Sequence, residues 1–439
     1  MREHLANAAW GVLDYAAYPI GMLLVAPVIL RNMGAAQYGI WTVATAIVSI
    51  GSIIAAGFGD ANIQQVASHR GAGRVDRMLR TIRCMISINL LLGTAVAALM
   101  WAFVPYIAKH IALTSAFERD CLWSLRLACI LICIRTMESV CISTQRGFER
   151  YGAAVRTSLT ARLLSLAIAA VLTCLTHYVA ILIVATVGCN LVATRLQFKQ
   201  LQRLLPAEPL TPIFDSHTMK ELLGFGVFSW LLAVSAILFG QVDRLYLGVS
   251  YGAVAVASYA LCVQMAQPVY GIAASGLHFI FPYLAERRAS QAPDKLRSVV
   301  LIAFASNVMI VILISTALLL LGPDILHAMA GKEIAKGAFG VLPVVIAGSA
   351  FAGLSVTATY SLFALGYVRV VTWISLAGTA AMLLFMSYLG PRFGAYGLAA
   401  ARLSYGVILL FLYVPLIRKA NKVRKPLALL AAQPVCEEM

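Results

Sequence analysis

The sequence predicts an all-α integral membrane protein of about twelve transmembrane helices. Three observations carry that prediction. Of 439 residues, 61% are hydrophobic and only 12% are charged, against about 25% charged in a typical soluble domain. The apolar residues fall in runs of roughly 20, the length at which an α-helix crosses a hydrocarbon core about 30 Å thick. The links between the runs are short and basic.

In chain order the predicted spans are 8–30, 40–62, 82–107, 121–142, 157–176, 179–197, 221–244, 254–283, 299–322, 338–363, 371–389 and 395–417. The first carries Asp14, Pro19 and Pro27, which makes it too long and interrupted for the apolar core of a cleaved signal peptide. The stretch "PAEPLTPIFDSHTMK" (206–220), with three prolines, is the natural linker between two halves. The expected organisation is a six-helix bundle over 1–205, a linker over 206–220, a second bundle over 221–417 and a basic tail over 418–439.

The halves also resemble each other. One constant shift places Gly34 on Gly252, Ala67 on Ala285, Arg70 on Arg288, Asp76 on Asp294, Asn89 on Asn307 and Pro105 on Pro323. One further residue of offset then places "GFER" (147–150) on "GYVR" (366–369). A repeat of six spans, an even number, enters the membrane twice from the same side, so the expected relation is a parallel internal repeat about an axis along the membrane normal.

The formal charge of +16 raises the possibility of a nucleic-acid partner, and its placement argues against one. Most of the 34 Lys and Arg fall on one side of the predicted topology, among them Arg70, Arg74, Arg77, Arg80, Arg83, Arg146, Arg150, Arg156, Arg287 and Arg288. The positive-inside rule makes that side cytoplasmic, with both termini there. The tail cluster Arg418, Lys419, Lys422, Arg424 and Lys425 suits anionic lipid headgroups. The nine cysteines lie mainly in apolar spans as small hydrophobes. Cys129 and Cys133 share a helix face, but no His or carboxylate stands at ligand spacing, so neither a metal nor another cofactor is expected.

Catalytic constellations are absent as well. The sequence has no phosphate-binding Gly-rich loop, no His-Glu-x-x-His and no nucleophile elbow, so no catalytic residue is assigned and the chain reads as a non-enzyme. His278 suits an interhelical hydrogen bond. The informative residues are the charges inside spans, because a charge facing lipid costs about 2.5 kcal/mol or more at the bilayer centre. They are Arg126, Arg135, Arg162, Arg244 and Arg402 against Asp14, Glu138 and Asp243. This excess of arginine predicts a cationic cleft for a phosphate- or carboxylate-bearing ligand, since the planar guanidinium pairs with such groups bidentately. The three carboxylates are the candidates for ion or proton coupling. Arg126 and Arg135 stand nine residues apart, about 13.5 Å along the axis and half a turn in rotation, so both cannot enter one cavity. Local alternatives accompany each charge. Arg135 and Glu138 at i,i+3 suit a mutual pair, Asp243 and Arg244 a pair at a span end, and Arg126, Arg162 and Arg244 suit snorkelling. Tyr15, Tyr18, Trp230, Tyr246, Tyr259 and Tyr270 offer faces for a sugar or anchors at the interface.

"RNMGAAQYGIW" (31–41) followed by "GFGDANIQQVAS" (57–68) resembles the first helical hairpin of the polysaccharide transporter family, the O-antigen-type lipid-linked oligosaccharide flippases of the multidrug/oligosaccharidyl-lipid/polysaccharide exporter superfamily. "DRLYLGVSYGAVAVASYALCVQM" (243–265) resembles the opening of that family's second half. The resemblance implies movement of a polyprenyl-pyrophosphate-linked glycan across a bacterial inner membrane by alternating access, driven by protons or Na+. It implies no transferable substrate residues, so the site assignment rests on the intramembrane charges, with Arg135 and Arg402 contacting substrate and Asp14 coupling. A multidrug cation exporter of the same superfamily is the alternative, though a cationic cargo favours a carboxylate-rich cleft. A membrane glycan polymerase or ligase is disfavoured by the lack of a large outer loop. Protein partners are not legible.

Overall fold

The computed structural model describes residues 2–112, 115–205, 210–277 and 293–422. Within these helices the side chains of 2–16, 293–299, 332–336 and 419–422, and of a few single positions, fall outside the description, as do Asp14, Tyr15, His278 and most of the basic tail named above.

Every described element is a helix: α1 (Arg2–Met33), α2 (Ala35–Ala56), α3 (Gly59–Gly71), α4 (Val75–Ile111), α5 (Ser115–Gly147), α6 (Tyr151–Leu172), α7 (Val179–Leu204), α8 (Ser216–Leu277), α9 (Pro293–Phe339), α10 (Leu342–Leu354), α11 (Val356–Ala364), α12 (Val368–Leu410) and α13 (Tyr413–Lys422). Eight helical segments are long and apolar enough to cross a membrane by composition alone. Two of them, Gly226–Ala274 and Val368–Arg418, are about twice the needed length, and each contains a non-helical glycine that divides it into two arms, Gly252 in α8 and Gly394 in α12. Helix α5 is absent from the eight although it has the length, because Arg126, Arg135 and Glu138 interrupt its apolar window. With α1, α5, the divided helices, and α10 and α11 taken together as one, the described residues supply twelve crossing segments.

Glycine makes the tightest reversals. Gly34, the single residue between α1 and α2, has φ 86° and ψ 171°, and Gly252 has φ 79° and ψ 175°. A side chain would strain either conformation. These two positions coincide under the sequence shift given above. So do Asn89, whose Nδ2 donates to Thr136 O at 3.1 Å, and Asn307, whose Nδ2 donates to Gly353 O at 3.0 Å and Thr357 Oγ1 at 3.1 Å.

Several predicted boundaries move. The span expected over 40–62 ends as α2 at Ala56, and α3 continues separately toward the basic links. The break falls where the Trp230 ring presses on Gly57, 2.0 Å from where a Cβ would stand. The span expected over 338–363 is interrupted at Ser355 between α10 and α11. Helix α8 begins at Ser216, inside the predicted linker, with Asp215 accepting from Thr218 Oγ1 at 2.5 Å and Thr218 N at 3.3 Å, a side-chain N-cap.

Helices α1–α7 pack on one another, as do α8–α13, and α2 against α8 forms the most extensive contact between the two sets. Helix α2 is central: 72% of its apolar window is buried, against 11% for α4, whose Leu91, Leu99 and Phe103 are exposed on a lipid-facing surface. At the α2–α8 seam a Cβ on Gly39 would lie 1.9 Å from Ala253 O, so only glycine permits this approach. Tyr38 donates to Gln264 Oε1 at 3.2 Å within the seam. Toward the basic face, Trp230 Nε1 donates to Ile54 O at 2.7 Å and its ring stacks on Phe58, centroids 5.8 Å apart. At the opposite face, Arg31 of α1 donates to Ala328 O of α9.

Candidate functional site

The intramembrane charges separate into three groups. The first lies among α1, α5 and α6. Arg135 on α5 has Arg162 of α6, Tyr18 of α1 and Glu138 as its electrostatic neighbours. Glu138 is 2% exposed, and its Oε1 accepts no hydrogen bond among the described residues. The pairing expected between Arg135 and Glu138 is not a contact ion pair, since neither makes a salt bridge among the described residues. Arg135 thus lies within electrostatic reach of a second guanidinium, Arg162, and of the buried carboxylate of Glu138.

The second group joins α8 to α12. Asp243 is fully buried and Arg402 is 3% exposed, and the two form an ion pair through Oδ2 and Nη1. Tyr259 donates to the same oxygen at 2.7 Å, and the Arg244 backbone N–H donates to Oδ1 at 2.9 Å. Arg402 also donates to Phe239 O at 2.8 Å, and its guanidinium lies 4.3 Å from the Phe239 ring, which stacks on Tyr405. This corrects two sequence expectations. Asp243 does not pair with the Arg244 side chain, which turns instead to Gln241 Oε1 at 3.2 Å. Arg402 is not a free cleft cation: its small neighbours Ala399 and Ala401, both fully buried, let α12 approach α8 closely enough for the carboxylate to claim it. Arg244 is 4% exposed and does not snorkel, because it lies two turns before the Gly252 reversal rather than at a free helix end.

The third group stands apart. Arg126 lies over Trp101 at 5.3 Å and Trp123 at 5.5 Å, and both indoles are substantially exposed. Arg126 therefore faces outward on α5, as its half-turn offset from Arg135 requires. Among the described residues no cluster of three His, Cys, Asp or Glu could hold a metal ion.

Sequence reasoning missed the contacts that depend on distant partners. The Tyr38–Gln264 bond, the Asn62 amide between Ser143 Oγ at 2.8 Å and Thr144 Oγ1 at 2.9 Å, and Gln145 against Gln197 at 2.5 Å all involve polar residues inside or beside apolar runs. That placement was the available signal.

The sequence model of the family described as "Polysaccharide biosynthesis protein" matches residues 5–288. The chain belongs to that family. No curated protein matches its sequence. Solved structures share the fold of this polysaccharide biosynthesis family member. An inward-facing multidrug resistance MATE transporter of the MOP superfamily has TM-score 0.70 and 13% identity over 94% of this chain and 99% of its own. The lipid II flippase MurJ, in an inward closed conformation, has TM-score 0.75 and 12% identity over 94% and 89%. A MOP superfamily transporter from Pyrococcus furiosus has TM-score 0.55 and 14% identity over 94% and 98%. The chain thus belongs to the polysaccharide biosynthesis family by sequence and has the fold of these membrane transporters.

Proposed function

We propose that this family member moves a polyprenyl-pyrophosphate-linked oligosaccharide from the cytoplasmic to the outer leaflet of a bacterial inner membrane, for surface polysaccharide or exopolysaccharide assembly. The observation that carries this reading is that Arg162 of α6 is an electrostatic neighbour of Arg135 of α5, both within apolar helices. Two neighbouring guanidiniums suit a pyrophosphate or acidic sugar, which their planar forks can hold bidentately. The lipid tail stays in the bilayer beside the halves, which rock about the α2–α8 seam in alternating access. The matched geometries at Gly34 and Gly252, and at Asn89 and Asn307, support a duplicated origin for the halves.

Glu138 and Asp14 remain the carboxylates assigned to coupling to protons or Na+. Asp243 has a resident counter-ion in Arg402, so the pair serves to fix α8 on α12, and Arg244 and Arg402 are withdrawn from the substrate contacts. The crowding of Lys and Arg in the links supports a cytoplasmic position for both termini.

The test measures lipid-linked sugars in host membranes with and without the gene, separating inner-leaflet from outer-leaflet pools. Accumulation of a cytoplasm-facing polyprenyl-linked oligosaccharide on deletion, cleared when the gene returns, supports the proposal and identifies the cargo. Unchanged pools together with gene-dependent efflux of organic cations would replace it with the drug-exporter reading, which shares the fold.

A further inference from the structure

We propose that the lipid-facing surface at the start of α5 is a binding site for the headgroup of an anionic glycerophospholipid in the leaflet opposite the basic links. Arg119, Trp123 and Arg126 stand at i, i+4 and i+7, which places them on one helix face over about 10.5 Å of rise. The start of α5, the end of α4 and the start of α7 meet at this membrane face, where Trp123 and Tyr178 are 51% and 62% exposed. A cavity of about 270 Å³ opens there, lined by Arg119, Asp120, Trp123, Tyr178, Ala180 and Ile181.

The electrostatics of the site favour an anion. Asp120 is buried, and its two oxygens accept the Val179 N–H at 2.9 Å and the Ala180 N–H at 3.0 Å, so its charge is directed into the N-terminus of α7. Arg119 is exposed, and no ion pair or hydrogen bond of its side chain occurs among the described residues. Glu118 is rotated by about 100° from Arg119 on the helix. Arg126 is held between the Trp101 and Trp123 rings, and its Nε is buried without an acceptor. Cation–π contact fixes the guanidinium without neutralising it. A lipid phosphate between Arg119 and Arg126 would satisfy both by charge-assisted hydrogen bonds, with Trp and Tyr at the headgroup level they prefer and the acyl chains along the exposed apolar face of α4. Two arginines against one phosphate leave an excess of positive charge, which selects an anionic headgroup over a zwitterionic one.

The test uses the full-length protein purified in detergent, with phosphatidylglycerol or chain-matched phosphatidylcholine added and retained lipid counted by native mass spectrometry. The wild type should hold one phosphatidylglycerol that phosphatidylcholine does not replace, and R119Q/R126Q should reduce that preference at least tenfold while R126K keeps most of it. Melting temperatures show whether R126Q perturbs folding; if it does, R119Q alone, at an exposed position, should still weaken retention several-fold. Arg74→Gln with Arg77→Gln on the basic face should leave this lipid in place. Retention unchanged in R119Q/R126Q, or lost instead in the basic-face variant, would overturn the proposal. Equal retention of the two lipids by the wild type would do the same.

Discussion

Asp243 of α8 and Arg402 of α12 form a buried ion pair, closed by the Tyr259 hydroxyl and the Phe239 carbonyl. Its members are 159 residues apart, so the contact ties α8 to α12 across a long stretch of chain. Removing one partner of a buried pair leaves an uncompensated charge and costs about 3–5 kcal/mol, whereas replacing both with apolar groups is often neutral. Asp243→Leu and Arg402→Leu should each lower the melting temperature sharply, and the double variant should recover most of the loss. Equal losses in all three variants would mean that the pair is not the source.

Arg135 and Arg162 give the opposite expectation. As cargo contacts they should be separable from folding: Arg135→Gln and Arg162→Gln should each reduce clearance of the cytoplasm-facing lipid-linked glycan at least tenfold, while melting temperatures stay within a few degrees of wild type. Lysine at either position keeps charge but loses the planar fork, so it should restore only part of the activity. Full activity in both Gln variants would remove these arginines from the cargo site.

Glycine at position 39 allows the closest approach in the α2–α8 seam. Ala is normally the better helix former, so an ordinary helical glycine would gain stability on substitution. Gly39→Ala should do the reverse, because the added carbon meets Ala253 O and overpacking costs typically about 1–3 kcal/mol. Gly188, where a Cβ would meet nothing within 4 Å, is the matched control. Thermal unfolding of Gly39→Ala beside Gly188→Ala measures the difference.

Asn307 and Asn89 coincide under the sequence shift but carry unequal loads. The Asn307 amide has acceptors at Gly353, Leu354 and Thr357, where Asn89 has Thr136 O alone. Each buried hydrogen bond contributes about 0.5–1.5 kcal/mol. Asn307→Ala should therefore cost more than Asn89→Ala, by roughly one such bond, in comparative melting of the two variants. The reverse order would show that the donor geometry does not set the cost.

The sequence by itself determined the class of the molecule and the number of its crossings, because hydrocarbon thickness fixes helix length and a charged residue in lipid is costly enough to mark every link. It also determined which residues merit suspicion. Each arginine and carboxylate named from the apolar runs has a particular setting in the fold wherever its side chain is described. What each does was decided only by tertiary structure. Arg135, Arg402 and Arg126 are equivalent in sequence, each a cation in an apolar helix. Yet the first meets another arginine and a buried carboxylate, the second is claimed by Asp243, and the third lies between two tryptophans on the lipid side. Periodicity reports the face of a single helix, whereas a charge takes its role from whichever distant helix packs against that face.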